Sequence, residues 1–355
     1  MDELKVHVEK HELEEFVNQI FLAVGLDKEQ ASIIANHLVL ADLRGMDSHG
    51  VSRVETYVKR FENGLINKKL DAKTECETVS SMLINGMNGS GIVLATKGIE
   101  AAVRKAKDTG VAIVGINNSE HCGMLGAYTM YAAENDCIAL ATTNSPPNMA
   151  PWGGRERFFG TNPFSYGIPT GEEKNIVFDM ATSVVARGKI ILAQKNNQQI
   201  PIGWAISKEG KPTTDPNEAM EGLVLPVGGA KGYGITFLVE TLSSLLTGAT
   251  FGPHLPDYYK DAAPLDVGQC FVVFRADLFQ SLKQFKDRID QMVSEIKEVP
   301  LMEGVSRIYL PGEIEMEKTK DRLSKGIPIS QGIVNELLEI GRHYKVSNTL
   351  MKKEI

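Results

Sequence analysis

Apolar side chains recur at steps of three and four through Leu13, Phe16, Ile20, Phe21 and Val24, and again from Ala31 to Leu43. That spacing gives a helix one apolar stripe to bury, and Gly25 and Gly45 fall where each helix should stop. A third helix is expected from about Val51 to Phe61, ending near Asn63-Gly64, and this opening segment carries almost no strand signal. From about residue 73 the pattern turns to short β-rich runs at 111–116, 137–142 and 176–178, alternating with helices near 92–108, 123–135 and 184–197. A helix follows from Gly232 to Leu246, a strand from Gln269 to Phe274, and a long amphipathic helix from Leu278 to Val299. The end, from Ile329 to Tyr344, reads as helix without strand. Two helical ends around an α/β middle fit either one helical domain completed by both termini or two separate helical caps. The Pro-, Gly- and Asn-rich stretches 143–163 and 248–264 are too long for plain connections.

Composition narrows the partners. Thirty-eight Lys and Arg stand against 45 Asp and Glu, a net charge of -7 with no long basic run, so nucleic acid and anionic membrane surfaces are poor partners. Cysteines 76, 122, 137 and 270 are too scattered for a zinc cluster or a disulfide framework, which predicts a reducing cytoplasm and no metal. The N-terminal residues resemble neither a signal nor a transit peptide, and no apolar run reaches the ~18 residues of a membrane span. A soluble, unprocessed protein is expected.

Familiar catalytic spacings are missing. There is no G-x-G-x-x-G, H-E-x-x-H or G-x-S-x-G, and Gly188-Lys189 lacks the rest of a P-loop. Asp47-Ser48-His49-Gly50 holds the side-chain types of a hydrolase triad, but adjacent side chains diverge, so Ser48 and His49 are not expected to face each other. If one helix includes His49, then His49, Arg53 and Tyr57 line one face at steps of four. An imidazole can trade a proton near neutral pH, and a guanidinium can grip a carboxylate through two parallel hydrogen bonds. Reduction of a 2-oxo acid needs that pair. The competing reading makes Arg53 a surface partner of Glu55 or Asp47.

His121 lies in Asn117–Gly126, between a strand and the helix carrying Tyr128 and Tyr131, a loop position where sites are often built; its plainer reading is a histidine satisfied by a backbone carbonyl. Ala150–Pro163 combines paired glycines, two arginines and Trp152. At Phe178-Asp-Met-Ala-Thr-Ser183 a strand gives way to a helix, where N–H groups could receive a phosphate with help from the Thr182 and Ser183 hydroxyls; otherwise Ser183 is a helix cap. Lys231-Gly232 offers a positive charge before another helix.

These segments occur in order along nearly the whole chain: Ala41-Asp-Leu-Arg-Gly-Met-Asp-Ser-His-Gly-Val-Ser-Arg53, Asn118-Ser-Glu-His-Cys-Gly123, Ala150-Pro-Trp-Gly-Gly154, Gly160-Thr-Asn-Pro163, Phe178–Ser183 and Gly228-Gly-Ala-Lys-Gly-Tyr-Gly234. Together they closely resemble the malate/L-lactate dehydrogenase family, which also holds ureidoglycolate, sulfolactate and diketogulonate enzymes. The resemblance implies an α+β fold that is not Rossmann, which accounts for the missing glycine fingerprint. Residues 1–72, completed by 325–355, would form a helical domain, and 73–324 a cofactor domain on a mixed, largely antiparallel sheet. It further implies a homodimer with its site near the cleft and subunit interface.

Carried over by position, His49 and His121 are the proton-transfer candidates, with His49 first because Ser48 and Arg53 are local to it. Arg53 anchors the carboxylate, and Asp179 orients or polarises the site. Cofactor contacts map to Phe178, Asp179, Met180, Ala181, Thr182, Ser183 and Val184, to Lys231 and Gly232, and to Pro311, Gly312 and Glu313 after a strand at Arg307–Leu310. Cys122 stands where many members have an aromatic, and Met124-Leu125 replaces smaller residues, so the pocket wall differs. The implied activity is hydride transfer between NAD, with NADP as the alternative, and C2 of a small 2-oxo or 2-hydroxy carboxylic acid. Reduction of a cyclic imino acid and cofactor binding without turnover are the competing functions.

Overall fold

The computed structural model describes residues 5–172, 174–258, 263–348 and 350; the first four and last five residues of the expected helical domain, and 259–262 of the long second loop, lie outside them. Strand β1 (Lys5–Val8) leads into α1 (Lys10–Val24) and α2 (Lys28–Leu43). Gly25 closes α1 at φ 108°, a left-handed value that an L side chain resists, and the Asp27 carboxylate caps α2 by accepting the Gln30 N–H. Two single 3-10 turns, Asp47–His49 and Val51–Arg53, precede α3 (Val54–Glu62). The third helix therefore starts later than its apolar spacing predicts, because Gly50 and the Asp42 carboxylate break the run.

The middle contributes β2 (Lys73–Glu77), β3 (Ser81–Gly89), α4 (Gly91–Thr109), β4 (Val111–Ser119), α5 (Gly126–Glu134), β5 (Cys137–Thr143), β6 (Phe164–Ile168) and β7 (Ile176–Met180). Next come α6 (Arg187–Lys195), β8 (Ala205–Ile206), β9 (Pro212–Thr213), α7 (Pro216–Glu221), β10 (Leu223–Val224) and α8 (Ala230–Glu240), which runs on as a π turn over Thr241–Leu245. The chain finishes with β11 (Val267–Arg275), α9 (Leu282–Glu298), α10 (Glu313–Lys325), β12 (Ile327–Ser330) and α11 (Gln331–His343).

Seven strands form the main sheet in the order β2-β3-β4-β11-β5-β6-β7. Among them β3 and β4 alone run parallel, so the sheet is mixed and largely antiparallel, as the family resemblance implied. Strand β11 inserts between β4 and β5 and brings distant chain back to the centre. Helices α4 and α5 cover one face through Leu94, Ile99, Val103, Tyr128 and Ala132, which meet Val114, Ile116 and Phe271 from the sheet. A second cluster joins Phe16, Ile20, Phe21, Leu38 and Phe61 to Ile327, Ile329, Val334 and Leu337, so the helices near the two ends share one core.

Several expectations fail locally. Strand β1 pairs antiparallel with β12, Lys5 opposite Ser330 and Val8 opposite Ile327, so neither helical end is strand-free; four residues are too few to show a period. Arg307–Leu310 is irregular and joins no sheet. Its groups are used otherwise: the Lys297 ammonium donates to the Ile308 carbonyl, and the Arg307 guanidinium lies 4.0 Å from the Tyr309 ring centre. The helices expected at 123–135 and 184–197 begin at Gly126 and Arg187.

Candidate active site

The turn bearing His49 is fastened from two sides. A buried Asp42 carboxylate accepts the Val51 N–H at 2.8 Å, and a Cβ on Gly50 would lie 1.9 Å from Asp42 Oδ1, so only glycine fits there. From α10, the Arg322 guanidinium donates to the Asp42 carbonyl and to Asp47 Oδ1, the latter at 2.6 Å. Burial pushes the Asp42 carboxyl up to about 8, Asp47 adding to the effect while the Val51 N–H and Arg322 oppose it. In this tight turn Ser48 Oγ lies 3.0 Å from His49 Nδ1. The two side chains do meet, against expectation, because a 3-10 turn lets the short hydroxyl fold back onto the next ring.

His49, Arg53 and Tyr57 do not share one continuous helix, yet they still converge. Arg53 Nε donates to the Ser48 carbonyl at 2.6 Å, while Glu55 pairs with Lys59 and Asp47 with Arg322. Tyr57 reaches across to the second histidine, its hydroxyl 2.6 Å from His121 Nδ1. The His49 and His121 rings stack with centres 5.6 Å apart and planes 27° from parallel. His121 Nδ1 also receives the Gly123 N–H at 3.3 Å, so its partners are a phenol and an amide, not the backbone carbonyl of the plainer reading. Burial lowers the His49 imidazole to about 4, helped by the Arg53 charge. It drives His121 well below the ordinary imidazole value, with Arg53 next in effect.

Supporting residues come from outside the expected set. His37, buried on α2, accepts the Met124 N–H at 2.9 Å and stacks on Tyr128; burial lowers its imidazole to about 3. A Cβ on Gly123, which has φ 71°, would lie 2.3 Å from His37 Nε2. The His121 loop can therefore pack only with glycine at that position. Tyr258 brings its ring to 5.8 Å from that of His121, and Arg60 and Glu120 form a buried ion pair beside them. Glu120 stands inside a quoted motif and Tyr258 inside a loop too long to be a plain connection, but nothing local reveals their partners.

The remaining candidates form a connected track. The Asp179 carboxylate accepts the Gly126 N–H at 2.6 Å at the start of α5, and burial pushes it up to about 6 against that bond and the Arg44 charge. Phe178, next to it, stacks on Tyr166. Gly312, at φ 83°, packs so closely on β7 that a Cβ would lie 2.2 Å from the Val177 carbonyl oxygen. Glu313 accepts from Lys297, at 2.5 Å, and from the Leu310 N–H, and lines a cleft of about 420 Å³ with Leu301, Ser306, Arg307 and Ile308.

Beyond β7, the Val227 N–H donates to the Thr182 carbonyl, and a Cβ on Gly232 would lie 1.6 Å from the Val227 carbonyl oxygen. Two expectations fail here. The Thr182 and Ser183 hydroxyls donate to the carbonyls of Thr161 and Val185, so their protons are committed away from any phosphate. Nor does Ser183 cap a helix, since α6 starts after Ala186. The first N–H groups of α8 have no side-chain cap, Lys231 is exposed in its first turn, and Trp152 lies against Gly229 just before it. Among the described residues no His, Cys, Asp and Glu cluster could hold a metal ion, and no helix is long and apolar enough to cross a membrane.

The two histidines and the arginine thus meet where the turns before α3 face the loop after β4, beside a mixed sheet that lacks the glycine fingerprint of the doubly wound fold. The profile of the malate/L-lactate dehydrogenase family matches residues 8–338, and the chain belongs to that family. It is 38% identical over 331 residues to a malate/(S)-sulfolactate dehydrogenase of Methanothermus fervidus, covering 93% of this chain and 96% of that one. It is 34% identical over 332 residues to an NAD(+) ureidoglycolate dehydrogenase of Escherichia coli O157:H7, covering 93% and 95%. The solved sulfolactate dehydrogenase from Methanocaldococcus jannaschii superposes with a TM-score of 0.92 at 35% identity, over 96% of this chain and 98% of that one.

Proposed function

We propose that this protein interconverts a small 2-oxo carboxylic acid and its 2-hydroxy acid, using NAD or NADP. The observation that carries the reading is the convergence of Arg53 with two stacked imidazoles, His49 and His121. Arg53 grips the substrate carboxylate, as a planar fork suits two oxygens. The C2 oxygen exchanges its proton with His49 or His121. Ser48 engages Nδ1 of the first, and Tyr57 with Gly123 engages Nδ1 of the second, so Nε2 is the atom available on each. Ser48 and Tyr57 hold the rings in orientation, and Asp179 fixes the start of α5 beside them.

A bound nicotinamide cofactor would supply or take up the hydride. Phe178 to Val184, Lys231 with Gly232, and Pro311 to Glu313 would hold it. Three observations support that fit: the close packing at Gly312 and Gly232, the uncapped start of α8, and the charge of Lys231. The NAD(+) dependence of the ureidoglycolate relative favours NAD. Residues 1–72 with 325–355 act as one domain and 73–324 as the cofactor domain. A second copy covers the exposed apolar side chains Phe237, Leu238, Leu245 and Leu246 on and after α8, giving a homodimer. Four unpaired cysteines fit a reducing cytoplasm.

The test is the loss of nicotinamide absorbance with NADH, and separately NADPH, against oxaloacetate, pyruvate, sulfopyruvate, glyoxylate, diketogulonate and a cyclic imino acid, with ureidoglycolate run oxidatively. Turnover of a 2-oxo acid is expected. Turnover of the imino acid alone, or cofactor binding with silence on every substrate, would overturn the reading.

A further inference from the structure

Arg60 and Glu120 neither grip the substrate nor move its proton in the scheme above, yet they are among the most deeply buried charges in the molecule. Their side chains are 4% and 1% exposed, and they meet through two hydrogen bonds: Arg60 Nη2 to Glu120 Oε1 at 2.9 Å and Nε to Oε2 at 3.2 Å. A buried pair offsets its lost hydration only when its remaining donors and acceptors are also satisfied. Here one stretch of chain satisfies them. Arg60 donates to the carbonyls of Tyr258 and Ala263, and Glu120 Oε1 accepts the Leu265 N–H at 3.0 Å. The guanidinium also lies 4.8 Å from the centre of the Tyr258 ring.

What the pair joins is specific. Arg60 sits three residues after Tyr57 on α3, Glu120 immediately precedes His121, and Tyr258 lies over the His121 ring. Two of the three segments thus set an aromatic ring beside the imidazole that the third carries: Tyr57 at 6.0 Å and Tyr258 at 5.8 Å. We infer that the Arg60–Glu120 pair is a positioning device for the reaction, holding Tyr258 over His121 as a wall of the substrate pocket and keeping the His121 ring on Tyr57. This rests on the oxidoreductase reading for its chemistry but not for its geometry. The charged and titratable groups facing His121 are His49 and Arg53 from the turns, His37 from α2, Tyr57 and Arg60 from α3, and Tyr258. Glu120 neutralises Arg60, one of the cations that keep His121 from taking up a proton.

The experiment uses the full-length protein as wild type, Glu120→Gln and Tyr258→Leu. Glu120→Gln keeps an acceptor for Leu265 but removes the charge opposite Arg60. Two measurements are made: steady-state kinetics against pH in the oxidative direction, and titration of the His121 ring in ¹³C-histidine-labelled protein, its signal assigned with His121→Ala. Glu120→Gln should lower kcat/KM by up to ~10²-fold, the scale of a misplaced reacting group. It should also move the His121 titration and the acid limb to lower pH, with the NADH Kd within about twofold of wild type. Tyr258→Leu should raise substrate KM and leave the acid limb in place. Should Glu120→Gln fail to fold, Arg60→Lys, which keeps the charge but loses the fork, should raise substrate KM alike. A Glu120→Gln protein with unchanged kinetics and an unmoved His121 titration overturns the inference, as does a loss that tracks cofactor affinity and melting temperature alone. If wild type turns over no substrate but Glu120→Gln still shifts His121, the positioning stands and the functional reading falls.

Discussion

Asp42→Asn should stabilise the protein, and increasingly so as pH rises. The carboxyl is 2% exposed and accepts the Val51 N–H, and burial pushes it up to about 8, against about 3.9 in an unfolded chain. Between those values the folded protein binds a proton that the unfolded chain has released, so stability falls with rising pH and levels off above about 8. Each unit is worth about 1.4 kcal/mol. From pH 5 to pH 8 the wild type should lose on the order of 4 kcal/mol from this group, or about half that if the turn relaxes around the charge. Asparagine keeps an acceptor for Val51 and carries no charge. Urea unfolding of both proteins at pH 5 and pH 8.5 isolates the effect, because other titrating groups cancel in the difference. The advantage of Asp42→Asn should grow by about 2–4 kcal/mol between the two conditions. A difference that is the same at both would show that the buried carboxyl is not held protonated.

Other outcomes follow from the site. His49→Ala or His121→Ala should lower kcat by ~10²–10⁴ with cofactor binding intact, and the low imidazole values predict that oxidation persists below the pH at which an ordinary histidine protonates; full turnover in both variants would remove them from the mechanism. Arg53→Ala should cost about 1.5–3 kcal/mol in substrate affinity, read as a raised KM only partly restored by Lys; an unmoved KM would make Arg53 a structural residue. For the proposed homodimer, Leu238→Asp with Leu245→Asp should give a monomer by sedimentation where the wild type sediments as a dimer, and a mass unchanged from wild type would remove this face from the proposal.

The helical stripes of α1 and α2 and the strands β4, β5, β7 and β11 are legible in the chain because each is long or apolar enough to show its period. Helix α10 is not: Glu313–Lys325 buries no residue, so no stripe marks it. Nor are β1 and β12, four residues each, which their mutual pairing makes strands. At the site, His49 and His121 stand out because each lies in a compact local motif. The Tyr57–His121 bond and the Arg60–Glu120 pair join positions 64 and 60 residues apart, and local spacing carries no trace of either. Arg322 is less visible still, an ordinary basic residue on a polar helix until its contact with Asp47 is seen.

The β1–β12 ribbon also has a consequence for how the molecule comes into being. Lys5 waits for Ser330, and Phe16 and Leu38 wait for Ile329 and Leu337 to close their cluster. During synthesis the early helices therefore leave the ribosome with an unfilled apolar face, and the His49 turn emerges long before Arg322. Closing so large a loop comes late and slowly. A nascent chain stalled before about residue 320 would hold both histidines but lack the Arg322 contact that fastens the turn bearing the first of them.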